Sequence, residues 1–507
     1  MKTCRHRLLC LTALALAPVL HAGDFTLGGA ITTGAGPVSV QAADFNGDGK
    51  IDLVSANESD NNLTVFTNLG RATFLPAATL PVGSGPQCVL ATDINGDGKP
   101  DLVAANGFDN TLTVYTNNGH GGFSLLGTLA VGSFPSSLAA ADFNGDGRMD
   151  LACVNNSGNT VTLLTNRANQ SFAISTNLPV GAGPQFVLAA DLNGDNRPDL
   201  AVANYNDDTV TILTNNGSGR LLKASVQPTG LGPSALALID VNGDGLPDLL
   251  VADSGDSIIT VLTNGGRGQF GPAGVIPTDN GPQFLVAADL TGDGVSDLVV
   301  VHPYEDSVLT LGNDGHTALQ RRSTLLIAPG SGPYAVTAAD LNGDGRLDLI
   351  TADAFNNTLT IATNSGPPFL KQSLVAGGFH ASIHGFAGEA YALEFSTNLV
   401  NWTRLQAHLL NGPSWDFIDS AVANAPQRFY RTLKLQPIGI TNTGYTPRVG
   451  FQLVVSPASG ARYVVQASTN LVQWTPLQTN TGTNVGWSYS DAGATNLPRR
   501  FYRLAAP

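Results

Sequence analysis

Apolar and polar positions along this chain alternate in short bursts and show no sustained helical spacing. Val, Leu, Ile and Ala recur at every second position over a few residues, and then Gly, Asn, Asp or Pro interrupts them. One such stretch reads as four strands: Ser136 to Ala141, Leu151 to Asn155, Thr160 to Asn166 and Phe172 to Val180. The whole stretch is periodic. DFNGDGKIDL at Asp44 returns in variant form at Asp93, Asp142, Asp191, Asp240 and Asp289, each 49 residues on, and at Asp340 after 51.

Four short strands per repeat describe a propeller blade, and seven blades closing into a ring leave few exposed sheet edges. The pattern therefore predicts an all-β fold with a seven-bladed β-propeller over about residues 24–376. Two segments compete to supply the strand that closes the ring. FTLGGAITTGAGP at Phe25 resembles the outer strand and turn FSLLGTLAVGSFP at Phe123, and the segment starting at Phe369 is the rival.

A second repeat, with a period of 72, follows. STNLVNW at Ser396 pairs with STNLVQW at Ser468, Trp415 with Trp487, and RFYR at Arg428 with RFYR at Arg500. These pairings predict two small β-sandwich-like modules, 377–436 and 449–507, joined by a linker over 437–448. All four Trp residues lie there, at 402, 415, 474 and 487, and a small domain needs its few large aromatics in its core.

The DxNGDG loops carry the candidate chemistry. Hard cations such as calcium take several oxygen ligands at about 2.3–2.6 Å, and a loop supplies them from alternating positions around a Gly-permitted bend. Positions 1, 3, 5, 7 and 9 do so here, position 7 through its carbonyl. They are Asp44, Asn46, Asp48, Lys50 and Asp52 in the first loop, and Asp93, Asn95, Asp97, Lys99 and Asp101 in the second. The third has Asp142, Asn144, Asp146, Arg148 and Asp150, and the fourth Asp191, Asn193, Asp195, Arg197 and Asp199. The fifth has Asp240, Asn242, Asp244, Leu246 and Asp248, the sixth Asp289, Thr291, Asp293, Val295 and Asp297, and the seventh Asp340, Asn342, Asp344, Arg346 and Asp348. One DxNGDG is as readily an Asx turn, but seven in phase imply up to seven calcium ions. Asn196 replaces the bend Gly of the fourth loop and tolerates that conformation, whereas Thr291 removes an amide ligand and makes the sixth site the weakest.

Composition sharpens this reading. With 25 Lys and Arg against 39 Asp and Glu, the net charge of −14 argues against nucleic acid or anionic membrane as a partner. The loops hold 21 of the acidic residues, so calcium would neutralise most of the excess. Lys2, Arg5 and Arg7, the apolar run Leu8 to Leu20 and the sequence Leu20-His21-Ala22 read as a signal peptide over 1–22. The mature chain is accordingly expected to be secreted or surface-associated, with no membrane insertion. Without the signal its charge becomes −17, and seven calcium ions would bring it to about −3. Cys88 and Cys153 take positions that are apolar in sister repeats and are expected to be buried free thiols.

The seven DFNGDGxxDL loops resemble the FG-GAP/VCBS family, whose propeller fold is shared with the integrin α-subunit head and with certain fungal lectins. The resemblance covers about 350 residues and implies the fold and calcium, while the family's functions are broad. The C-terminal tandem is similar to STNLxxW...RFYR repeats near the ends of large exported bacterial proteins, which carry no known chemistry.

No catalytic constellation assembles. His380 and His384 alone have zinc-type spacing, and the sister module has Gln452 and Ser456 in their place. A non-enzymatic adhesion or ligand-binding scaffold is therefore expected, with a lectin-like protein as the alternative and a polysaccharide-active enzyme behind both. If strand 1 runs into the Asp loop, the 2-to-3 and 4-to-1 turns share the opposite face. Phe108, Phe134, Tyr205, Tyr304, Tyr334 and Phe355 fall there, as candidates to bind an extracellular protein or glycan.

Overall fold

The computed structural model describes residues 25–167, 171–313, 319–364 and, beyond these, the strands between 370 and 505. The expected signal segment, Trp402 and Trp474 lie outside the described residues. Every regular element described is a strand.

Strand β1 (Phe25–Thr32) precedes a first blade made of β2 (Pro37–Ala43), β3 (Asp52–Asn57), β4 (Asn62–Asn68) and β5 (Phe74–Pro81). These pair in sequential antiparallel order, and five further four-stranded sheets, from β6 (Pro86–Thr92) to β25 (Gln320–Leu326), repeat the arrangement. The seventh sheet differs in origin. It joins β26 (Pro333–Ala339), β27 (Asp348–Asp353) and β28 (Thr358–Asn364) to β1, with Phe25 opposite Asn364 and Thr32 opposite Thr358. The N-terminal strand therefore closes the ring.

The rival segment has another role. Strand β29 (Leu370–Val375) pairs with β30 (Gly378–His384), which pairs with β33 (Ser414–Asp419), so β28 is the last propeller strand described and β29, inside the boundary expected at 376, belongs with the C-terminal unit. The expected linker is also partly strand. Strand β35 (Gly439–Thr446) pairs with β36 (Gly450–Ser456) as β29 pairs with β30. Each module thus consists of two three-stranded sheets. In the first, Ile383, Tyr391 and Leu393 are buried and Leu405, Trp415 and Phe417 pack against them, which makes Trp415 a core residue.

Innermost strands touch around the whole ring, β2 meeting both β6 and β26. A blade has a neighbour on each side, so both faces of its sheet are covered, and all six residues of β3 are buried. Alternate residues serve different interfaces. Leu53 packs with Ile350 and Leu359 of the last blade, while Val54 and Ala56 pack with Val89 and Leu102 of the second. Leu53→Ala should cost about 2–5 kcal/mol by leaving a cavity there. Outer strands bury little, as the exposure of Leu75, Leu125 and Ile174 shows. Phe186 of the fourth blade and Phe284 of the sixth meet edge to face at 5.5 Å and pack against the core between the fifth and sixth blades.

Candidate functional site

One face carries the seven Asp loops. In the first, Asp44 Oδ1 accepts the Gly47 amide at 2.8 Å and Asp44 Oδ2 the Gly49 amide at 2.8 Å, while Asn46 Oδ1 accepts the Asp48 amide at 2.9 Å. The position-1 carboxylate makes the same two bonds in all seven loops. In the fourth loop Asn196 takes the bend at φ 62° and still donates to Asp191 Oδ2 at 2.7 Å, so the substitution leaves the loop closed. In the sixth, Thr291 Oγ1 faces Asp289 Oδ1 at 3.5 Å, and the Asp293 amide bonds Asp289 alone.

Position 9 has a second duty that sequence reasoning missed. Asp52 Oδ2 accepts the Phe45 amide at 3.1 Å, and Asp52 Oδ1 accepts the Asn68 amide at 2.8 Å. The bond from the strand-3 Asn recurs in every blade. That Asn also donates its side chain across the blade boundary, as Asn68 does to Leu341 O at 2.8 Å and Asn166 to Ile94 O at 2.7 Å. An Asn invariably 16 residues after the position-9 Asp was the available signal.

Position 7 also contributes a side chain. Lys50 Nζ pairs with Asp48 at 2.8 Å, Lys99 with Asp97 at 3.5 Å, Arg148 with Asp146, and Arg197 with Asp195 at 3.9 Å. The hydrogen bonds from Lys50 hold the Asp48 carboxyl below the usual carboxylate range. Leu246 and Val295 supply no such cation in the fifth and sixth loops. Among the described residues, no three His, Cys, Asp or Glu side chains converge as a preformed metal cage. The donor set nevertheless fits a hard cation. A carboxylate has about four lone-pair sites, so Asp44 with three amide partners keeps capacity for about one more bond and Asp52 with two for about two. Burial, reinforced by neighbouring loop carboxylates, pushes Asp199 up to about 6 and Asp348 up to about 7. In the seventh loop Asp344 Oδ2 is buried with no hydrogen-bond partner, and burial raises that carboxyl to about 6.

The opposite face is built from the 2-to-3 and 4-to-1 turns, which are bonded to each other. Glu58 N donates to Gly36 O at 2.8 Å and Gly107 N to Gly85 O at 2.8 Å. Each 2-to-3 turn needs a left-handed residue at its fourth position: Asn61, Asn110, Asn159, Asp208, Ser257, Asp306 and Asn357 all have positive φ. Their side chains accept amides from the next 4-to-1 turn, as when Gly85 N donates to Asn61 Oδ1 at 2.8 Å. The frame is thereby clamped from blade to blade while neighbouring positions vary.

On that frame Phe108, Tyr205, Tyr304 and Phe355 are exposed at 61%, 41%, 72% and 60%, and Phe134 and Tyr334 are half-buried. Phe108 pairs edge to face with Phe134 at 5.7 Å, and Tyr334 with Phe355 at 5.9 Å. A Cβ on Gly85 would lie 2.3 Å from the Phe108 ring, and one on Gly332 2.4 Å from Phe355, so these rings rest directly on turn backbone. Tyr205 stands apart from both pairs, against Gly232. Cys88 and Cys153 are free thiols in one inter-blade core, where burial pushes Cys88 up to about 11 and raises Cys153 further.

Seven four-stranded blades around an axis, each opened by an Asp-rich loop, define a seven-bladed repeat propeller. The chain belongs to the FG-GAP-like repeat family, whose model matches residues 44–104, 93–153, 142–202, 191–251, 240–300 and 289–351. Its propeller is similar to BBS1N in the crystal structure of BBS1N in complex with ARL6DN, soaked with mercury. That likeness has a TM-score of 0.51 at 16% identity, covering 68% of this chain and 98% of that one. The lead-soaked crystal gives 0.50 at the same identity and coverage. A functionally unknown protein from Desulfotomaculum acetoxidans DSM 771 is similar with a TM-score of 0.44 at 14% identity, covering 61% of this chain and 98% of that one. At these identities the likeness is one of fold. No curated protein matches the chain.

Proposed function

We propose that this protein is an exported, non-enzymatic binding scaffold, stabilised by calcium in its Asp loops, that takes an extracellular protein or glycan on its turn face. The observation that carries this reading is four exposed aromatic rings on turns clamped by inter-blade hydrogen bonds. Binding there would lose little conformational entropy, because the frame is already fixed. Calcium would be held by the carboxylates at positions 1, 5 and 9, the position-3 side chain and the position-7 carbonyl, and it would supply charge neutralisation that ties each loop shut. Asp344 Oδ2, buried and unpartnered, supports such a cation.

Elemental analysis of the purified chain should find calcium, and a glycan and surface-protein array should find a ligand. Binding that survives both Tyr205→Ala and Tyr304→Ala would remove the turn face from the proposal. Calcium-loaded protein that binds nothing on the array would count against the scaffold itself.

A further inference from the structure

The propeller's charges are partitioned between its two faces. The fourteen turns of the aromatic face contain nine Asp and Glu and no Lys or Arg. The Asp-loop face holds nine of the propeller's Lys and Arg, from Lys50 and Arg71 to Arg267 and Arg346. Fold stability does not require this division, because a Lys at an exposed turn position costs little.

The aromatic residues are partitioned too. Tyr334 touches Phe355 at 5.9 Å, and the innermost strand that carries it touches those of the sixth and first blades, whose turns hold Tyr304 and Glu58. Gln87 Nε2 donates to Glu58 Oε1 at 2.9 Å, and a Cβ on Gly107 would lie 3.0 Å from Gln87 and 3.3 Å from Phe134. Tyr304, Tyr334 and Phe355, then Glu58 and Gln87, then Phe108 and Phe134, therefore form one arc that runs from the sixth blade through the seventh and first to the third. Asp279 is already paired with Arg321 at 2.8 Å, but Glu58 and Glu305 lie within the arc. Exposed rings beside such carboxylates are what a guanidinium or ammonium group needs, since the ring face attracts it and the carboxylate pairs with it. An arc that crosses several blades is longer than one side chain can cover.

We propose that the ligand of this face is an extended polypeptide segment carrying several Lys or Arg side chains, which lie along the Tyr304–Phe134 arc. The assignment rests on the turn face being the binding surface, and it narrows the partner from protein or glycan to a cationic protein segment. Anionic polymers are repelled by the same carboxylates.

The test uses the calcium-loaded full chain and three probes: a fluorescent 12-residue Lys/Arg/Gly peptide, its Glu/Gly counterpart, and neutral oligosaccharides. The basic peptide should bind and the acidic one should not, and the affinity should fall about tenfold between low and moderately high salt. Tyr304→Ala with Phe355→Ala, and separately Glu58→Gln with Glu305→Gln, should each weaken it about tenfold, whereas Arg220→Glu on the opposite face should leave it unchanged. Failure of the basic peptide to bind overturns the proposal, as does tightening by Arg220→Glu, which would mark adventitious attraction to the Asp-loop face. Oligosaccharide binding that depends on Tyr304, without peptide binding, overturns the cationic partner and leaves the face as a binding surface. Silence from every probe counts against both.

Discussion

The two faces of this propeller are made from the same repeat and have been left to vary in opposite ways. On the Asp-loop face each blade repeats one hydrogen-bond set, from the position-1 carboxylate to the strand-3 Asn that reaches into the preceding blade. On the turn face the clamping residues recur, but the residues just before them are Glu58 and Ser59 in one blade, Gly107 and Phe108 in the next, and Pro303 and Tyr304 in the sixth. The first face builds the ring and the second is free to differ. Position along the strand decides which role a polar residue takes: where its lone pairs close a turn and join two blades, little else fits.

Chelating the proposed calcium should have the largest effect, because up to seven sites would be emptied at once. At extracellular affinities near 10⁻⁴–10⁻³ M, each ion would add about 1 kcal/mol at tenfold excess, so chelation should lower Tm by roughly 10 °C or more. A melting curve indifferent to chelator would mean that the amide bonds alone hold the Asp-loop face.

The next largest effect isolates a single staple. Asn166→Ala deprives the carbonyls of Ile94 and Met149 of a buried donor and should cost about 2–3 kcal/mol. Asn156→Ala, in the turn face of the same blade, should stay within about 0.5 kcal/mol by chemical denaturation. Equal costs would erase the distinction between the faces.

A third prediction concerns the last residue of strand 2, beneath the turn face. It is Asn in the first four blades, where Asn57 donates to Asn62 and Thr64, but Asp253 in the fifth and Asp353 in the seventh. Burial pushes both carboxyls up to about 6, although Thr260 and Thr360 donate to them. Because their folded pKa lies above the unfolded value, their contribution is fully present below about pH 4 and is lost as pH rises through 6. Asp253→Asn should therefore stabilise the protein by about 2 kcal/mol at pH 8, with the gain shrinking toward pH 5. A gain independent of pH would show that ionisation is not its cause. The smallest effect should come from Thr291→Asn, which restores the position-3 amide of the sixth loop. Calorimetric titration should show that site tightening by less than about 1 kcal/mol.

Much of this architecture is legible in the order of residues alone. The period of 49 carries the blade count, and the four-strand reading around Asp142 matches β10 (Pro135–Ala141), β11 (Asp150–Asn155), β12 (Thr160–Asn166) and β13 (Phe172–Pro179) closely. The closing strand is not legible, because an outer strand is polar, mostly exposed and alike in both candidates. The first strands of the C-terminal modules are hidden for the same reason, GITNTGYT reading as a linker until its pairing with β36 is seen. The pair Phe186–Phe284 joins residues two blades apart in the chain, a relation that no local pattern encodes.

The pairing of β1 with β28 has a consequence in time. Phe25 must find Asn364, so the last blade has only three strands until both ends of the propeller sequence exist and meet. Contacts of such high sequence separation form late and slowly. Until then the first and sixth blades each lack a finished neighbour, and the apolar flanks that will become inter-blade core are open to other chains. A propeller truncated before β28, or lacking β1, should accordingly accumulate as aggregate during refolding even though six of its sheets are intact in sequence.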